Sequence, residues 1–163
     1  KGFGVDRVAA LLRGRGLENF LVEIGGETLG VGRNDPGEPW RVGVLTPDGS
    51  TDLHGVVRLT GGNAIATSGD YRNFYEIGGR IYAHTINPKT GRPVRHNLTS
   101  VSVIYKDCMT ADAWATAFMV LGPNRGFNLA QDMGLAALFI VRDEKGEFVE
   151  KPTARFAERF LTQ

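Results

Sequence analysis

Two short stretches carry the residue types that chemistry needs: His84-Thr85-Ile86-Asn87-Pro88-Lys89-Thr90-Gly91-Arg92-Pro93, and downstream Asp112-Ala113-Trp114-Ala115-Thr116. In the first, Asn87-Pro88 and Gly91-x-Pro93 force turn geometry. Between them Lys89, Thr90 and Gly91 offer a cation, a hydroxyl and an open backbone to an oxygen-rich ligand. Residues 80–86 alternate and are rich in β-branched and aromatic types, so a strand is expected to deliver His84 to the mouth of that loop. A histidine there can accept a proton near neutral pH; the plainer alternative is a half-buried strand histidine beside an ordinary hairpin. In the second stretch, Asp112 and Thr116 are four apart in a run, 111–121, that lacks Gly and Pro, so both share one helical face. A carboxylate and a hydroxyl suit Mg²⁺ or Ca²⁺ and suit zinc poorly, with backbone carbonyls, water or substrate phosphates completing the shell. The alternative makes Asp112 a first-turn acid favoured by the helix dipole, behind Thr110 as N-cap. A proton acceptor and hard-metal ligands in one chain point to phosphate chemistry.

Ordinary elements must hold these groups. Residues 6–15 place Val8, Leu11 and Leu12 on one face of a helix closed by Gly14 and Gly16. Strands are expected at 20–24, 27–32, 40–45 and 53–59, with a turn at Pro47-Asp48-Gly49. Gly25-Gly26 is either a bend or bulge between strands or a place where backbone comes close to a ligand. Residues 63–71 are small enough for a flat ligand to slide against, and Tyr71, Phe74 and Tyr75 either stack on it or fill a core. A strand at 72–76 leads to a Gly78-Gly79 turn, and an apolar strand follows at 98–105. Pro123-Asn124-Arg125 opens a helix that Gly134 ends. Residues 135–142 and 147–150 form a hairpin, and Phe156, Phe160 and Leu161 suggest a short closing helix. His54 and His96 read as surface or structural residues. Hairpins interleaved with isolated helices, without βαβ spacing or a strand-linked G-x-G-x-x-G, argue for an α+β fold of largely antiparallel sheet with packed helices. No repeat or linker divides residues 1–163, so one domain is expected.

The chain's 163 residues suffice for one core, and 42% hydrophobic with 23% charged residues is the balance of a globular domain rather than a disordered one. A formal net charge of +1 with scattered basic residues gives no electrostatic reason to bind nucleic acid. The single Cys108 cannot form an internal disulfide and has no Cys or His at zinc spacing, so it reads as a buried small hydrophobe. No apolar run approaches the length of a membrane span.

Five blocks lie in order along the chain: Lys1-Gly2-Phe3-Gly4-Val5-Asp6, Ile24-Gly25-Gly26-Glu27, Ser68-Gly69-Asp70-Tyr71, His84-x-Ile86-Asn87-Pro88-x-Thr90-Gly91-x-Pro93 and Asp112-Ala113-x-Ala115-Thr116. Together they resemble the ApbE family of FAD-dependent, magnesium-requiring FMN transferases. The resemblance implies a T-fold-like α/β sandwich that binds FAD and holds Mg²⁺ at its pyrophosphate. It further implies transfer of the FMN half to a threonine hydroxyl of an acceptor flavoprotein subunit, with release of AMP. Some relatives instead hydrolyse FAD to FMN and AMP. By the same resemblance His84 is the base, Asp112 and Thr116 are metal ligands, and Lys1, Gly25, Gly26, Ser68, Ile86 and Thr90 lie along the flavin nucleotide.

In the family the Lys-Gly-x-x-Val-Asp block lies mid-chain. This chain is therefore expected to be the C-terminal part of an ApbE-like domain whose N-terminal segment, with a further metal ligand, is missing. A non-catalytic flavin- or partner-binding fragment is the alternative. The resemblance also implies a bacterial source and a periplasmic or cell-envelope location, with membrane association only through a missing N-terminal anchor.

Overall fold

The computed structural model describes residues 1–35, 37–70, 74–77 and 80–162, with backbone alone for 74–77, 80–83 and 160–162. In chain order the first elements are α1 (Gly2–Gly14), β1 (Phe20–Ile24), β2 (Glu27–Val31), β3 (Trp40–Leu45), β4 (Leu53–Leu59), β5 (Ala64–Gly69), β6 (Phe74–Ile77) and β7 (Arg80–Ala83). Then follow β8 (Ile86–Asn87), β9 (Arg92–Pro93), β10 (Leu98–Tyr105), α2 (Cys108–Leu121), α3 (Arg125–Asp132), β11 (Ala136–Arg142), β12 (Phe148–Pro152), α4 (Ala154–Ala157) and β13 (Phe160–Thr162). The expected α+β class is observed. Six strands in the order β1-β2-β5-β10-β11-β12 make a central sheet in which every neighbouring pair is antiparallel. A second sheet, β13-β4-β3, and two small hairpins, β6-β7 and β8-β9, complete the strands.

Alternation along β10 explains the layers. Val101 and Val103 join a core with Ala111, Ala115 and Phe118 of α2 and Ala130 of α3. Ile104 faces the other way, into a core shared with Val57 and Leu59 of β4 and Phe156 of α4. The central sheet is thus covered on both faces, which is why β10 and β11 are buried on both sides of the pleat, β11 with an almost unbroken apolar run. A third core joins Val5 and Ala9 of α1 to Phe20, Val22 and Leu29 of the β1–β2 hairpin and to Cys108. Thr67 and Ser102, paired across β5 and β10, satisfy each other at 2.7 Å between hydroxyls.

Three expectations are corrected. The first helix begins at Gly2, and its buried stripe is Gly2, Val5 and Ala9, whereas Val8 and Leu11 are exposed. Small residues let α1 lie close to its neighbours; of the three expected residues only Leu12 is half-buried, against the same core as Val5 and Ala9. The long helix begins at Cys108 under Asp107, whose side chain accepts from the Thr110 amide at 2.8 Å, so Asp107 and not Thr110 is the cap. Only Phe156 of the three expected closing-helix residues is helical; Phe160 and Leu161 lie in β13, which pairs with β4. The Gly78-Gly79 turn, Tyr71 and the side chains of Phe74 and Tyr75 lie outside the described residues.

One long-range contact ties the helices together. Asp6 of α1 accepts from the backbone amides of Cys108 at 2.8 Å and Met109 at 2.9 Å, the first donors of α2. With Asp107 on Thr110, three of the amides that open the helix are satisfied by carboxylates. We predict that Asp6→Ala destabilises the fold by about 1–2 kcal/mol, the usual cost of losing such a cap. Urea unfolding measures it, and an unchanged midpoint at unchanged slope would show that water replaces the carboxylate.

Candidate active site

The site starts from a mismatch in strand length. In the β1–β2 hairpin Ile24 pairs with Glu27, leaving Gly25-Gly26 as a two-residue loop with φ of +60° and +99°. Two consecutive positive φ values are what a primed hairpin turn demands, and glycine supplies them without strain. On the other side β2 pairs with β5 at Ala64 and Ile65, while β5 continues beside β10 as far as Gly69. The hairpin therefore stops short and residues 67–69 run on past it.

A cleft of about 310 Å³ opens there. The hairpin contributes Gly25, Gly26 and Glu27, β5 contributes Thr67, Ser68 and Gly69, α2 contributes Asp112 and Thr116, and β3 contributes Gly43, Val44 and Leu45. Lys1 enters from the start of α1, and His84 and Thr85 from the link between β7 and β8. His84 is exposed and lies directly after β7, as the strand expectation required.

Hydrogen bonds fix the polar groups. Ser68 Oγ and Thr116 Oγ1 are 3.1 Å apart. Asp112 Oδ2 accepts from the Gly2 amide at 2.9 Å and lies 3.5 Å from the Lys1 backbone nitrogen, and Oδ1 has no hydrogen-bond partner among the described residues. Lys1 Nζ donates to Glu27 Oε1 at 2.9 Å and to the Gly25 carbonyl at 3.2 Å. It also lies 2.8 Å from Glu27 Oε2, which accepts no aligned hydrogen bond. Just beyond Gly69, burial pushes the Asp70 carboxyl above its ordinary value, against the opposing pull of its own amide, His96 and His84. Burial, reinforced by Asp6, Glu27 and Asp112, pushes the Cys108 thiol up to about 12, so it is no nucleophile at neutral pH.

Of the sequence-derived candidates the cleft brings together Lys1, Gly25, Gly26, Ser68, His84, Asp112 and Thr116. Ile86 and Thr90 lie outside its lining. Ile86 is an exposed residue of β8, and Thr90 Oγ1 accepts from the Arg92 amide at 3.3 Å within the Asn87 turn. Sequence reasoning missed Glu27, although it closes the Gly-Gly block, and missed residues 43–45, which carry no local signal. His54 pairs with Glu150 at 2.8 Å, and His96 Nε2 meets the Met119 carbonyl at 2.8 Å, both structural as expected.

The donor chemistry fits a hard divalent cation: one carboxylate with an open oxygen and a hydroxyl one helical turn away. No group of three or more His, Cys, Asp or Glu gathers among the described residues, so substrate oxygens or water would have to fill most of the shell. A larger cavity of about 530 Å³ lies at the other end of the central sheet, against Tyr105, Ala136 and Arg159, and holds none of the candidates. Its size is outweighed by the convergence of the candidate base and candidate oxygen ligands in the smaller cleft.

A profile of the ApbE family matches residues 1–139. The chain is 46% identical to the FAD:protein FMN transferase of Vibrio cholerae serotype O1 over 158 residues, covering 96% of this chain and 46% of that protein. It is 41% identical to the protein of the same name from Escherichia coli K12, covering 88% of this chain and 41% of that one. The solved flavin transferase ApbE from Vibrio cholerae superposes with a TM-score of 0.85 at 43% identity, over 98% of this chain and 50% of the other. The chain spans about half the length of the relatives it matches.

The Asp70 shift makes a prediction whose sign follows from linkage. A carboxyl with a raised folded value favours the folded state while protonated, so its contribution is present below the ordinary value near 3.8 and is lost as pH rises through the raised value. Asp70→Asn is expected to raise the melting temperature at pH 7 more than at pH 3.5. An equal change at both pH values would mean that the carboxyl ionises as freely folded as unfolded.

Proposed function

The chain belongs to the ApbE family, and from that premise we propose that its cleft works in transfer of FMN from FAD to a threonine hydroxyl of an acceptor flavoprotein, releasing AMP. The observation that carries this reading is convergence. His84, Asp112, Thr116, Ser68 and Lys1, separated by up to 115 positions in sequence, line one cleft. Its volume of about 310 Å³ is at the small end of ligand sites, room for part of a dinucleotide at its diphosphate.

In the proposed step the acceptor hydroxyl oxygen attacks the phosphorus on the FMN side of the diphosphate. His84, exposed at the cleft, takes the hydroxyl proton. A new P–O bond joins FMN to the threonine as a phosphodiester, the P–O–P bridge breaks, and its electron pair leaves on the phosphate of AMP. Asp112 and Thr116 would hold Mg²⁺, which supplies charge neutralisation at the diphosphate oxygens when bound. The Ser68–Thr116 hydroxyl contact and the Gly2 amide on Asp112 hold those two ligands in place. Hydrolysis of FAD to FMN and AMP is the same chemistry with water as nucleophile. A periplasmic or cell-envelope location belongs to this proposal and is checked by fractionation.

Incubation with FAD, Mg²⁺ and a threonine-bearing acceptor tests the reading, with AMP followed by chromatography and the acceptor by mass. AMP with an FMN adduct supports transfer, and AMP with free FMN supports the pyrophosphatase. FAD binding without AMP supports a non-catalytic flavin-binding fragment, and no FAD binding rejects the reading. Asp112→Ala is expected to remove activity and Mg²⁺ dependence together. His84→Ala is expected to leave FAD binding largely intact and slow the reaction about a hundredfold or more, as for loss of a positioned base; unchanged turnover would exclude it from that role.

A further inference from the structure

Glu27 is the lining residue that diphosphate chemistry leaves unexplained. Its side chain is 2% exposed, yet it forms part of a cleft read as taking a doubly negative group. A buried carboxylate persists only with a partner. That partner is Lys1, with Nζ 2.9 Å from Oε1 and 2.8 Å from Oε2. The Lys1 stem passes close to the glycine turn as well. A Cβ on Gly25 would come within 3.1 Å of Lys1 Cδ, so the stem lies across the turn, and Nζ reaches the Gly25 carbonyl at 3.2 Å.

An ammonium has three donors and no acceptor. Here two are committed, to Glu27 and to Gly25, and the charge is already matched by the carboxylate beside it. We propose that Lys1 is not the cation that meets the diphosphate. The Lys1–Glu27 pair is an electrically neutral unit that presents one directed N–H to an uncharged acceptor on the nucleoside portion of the ligand: a ring nitrogen, a ring carbonyl or a sugar hydroxyl. Glu27 is the positioning residue that aims it. The choice of ligand rests on the flavin-nucleotide reading above; the pairing itself does not.

The test uses the chain with Lys1→Met, Glu27→Gln and the double variant, titrated separately in Mg²⁺ buffer with inorganic pyrophosphate, adenosine and riboflavin and read by NMR shifts. Lys1→Met alone strands the carboxylate and is expected to weaken pyrophosphate about tenfold. The double variant restores pyrophosphate to within about twofold of wild type, yet binds adenosine or riboflavin about tenfold more weakly. Glu27→Gln alone weakens the same nucleoside fragment. A double variant that still binds pyrophosphate as poorly as Lys1→Met, or both nucleosides as well as wild type, overturns the proposal. If the wild-type chain binds none of the three, the flavin-nucleotide reading fails and the ligand half of the proposal with it. Melting temperature then judges the pair alone: Lys1→Met lowers it and adding Glu27→Gln recovers most of the loss, whereas no recovery refutes the neutral pair.

Discussion

The contact of the first turn of α1 with the first turn of α2 is the constraint on which the site depends. The amino end of a helix carries unsatisfied amides and a partial positive charge, and Asp6 reaches across the chain to satisfy two of them. The approach is close enough that a Cβ on Gly2 would collide with the Cys108 carbonyl and come within 2.9 Å of Asp112 Cβ. That closeness lets the Gly2 amide reach Asp112 and, on the other side, lets Lys1 reach the β1–β2 turn. Six consecutive residues thus bridge α2 and the glycine turn: Lys1 in the cleft, Gly2 on the Asp112 carboxylate, Val5 in the core, Asp6 on the helix end.

The rest of the cleft follows from sheet geometry. A hairpin that ends at Glu27 beside a strand that continues to Gly69 leaves an opening at the sheet's end, where side chains from both faces meet. Ser68 faces α2 and touches Thr116, whereas Thr67 faces the second sheet and touches Ser102. Period-two alternation therefore distributes one strand between the two sides of the site. Rigid elements supply Asp112, Thr116 and the glycine turn, and His84, the proposed proton acceptor, comes from the short link after β7, where the proposed reaction would bring a second, protein-sized substrate.

Strand positions and fold class were legible because alternation and glycine punctuation are local signals, and most strand bounds match within a residue or two. The helix errors have a different origin. Val8 and Leu11 are apolar but exposed, whereas Gly2 and Ala9 are buried because packing distance, which composition does not encode, selects small residues there. Phe160 and Leu161 have the spacing of a short helix, but the open edge of β4 takes them as a strand, a tertiary choice. In the site, the spaced motifs picked out seven residues that do converge. Ile86 and Thr90 belong to the same motif yet build its turn and lie outside the cleft. Glu27 escaped notice because a charged residue at a strand start ordinarily points to solvent; only its ion pair with Lys1 explains its burial.

If the cleft works as proposed, its charge would make a cation and a diphosphate depend on one another. Lys1 Nζ and Glu27 cancel, so among the lining side chains Asp112 is the acid with no side-chain cation beside it, its Oδ2 lying 3.5 Å from the Lys1 backbone nitrogen, with Ser68 and Thr116 neutral beside it. Two like unit charges 4 Å apart near a protein surface repel by about 4 kcal/mol, so a diphosphate brought alone to this wall meets an opposing field. A divalent cation brought alone finds one open carboxylate oxygen and a hydroxyl, too few ligands for an octahedral ion. In the proposed reaction the two would arrive together, phosphate oxygens supplying the ligands the wall lacks and the ion offsetting the negative charge of Asp112. Under the proposed function, a cleft whose one lysine is already paired would draw its electrophilic charge from an ion arriving with the substrate, leaving the protein to supply position, the proposed proton acceptor and the N–H of Lys1.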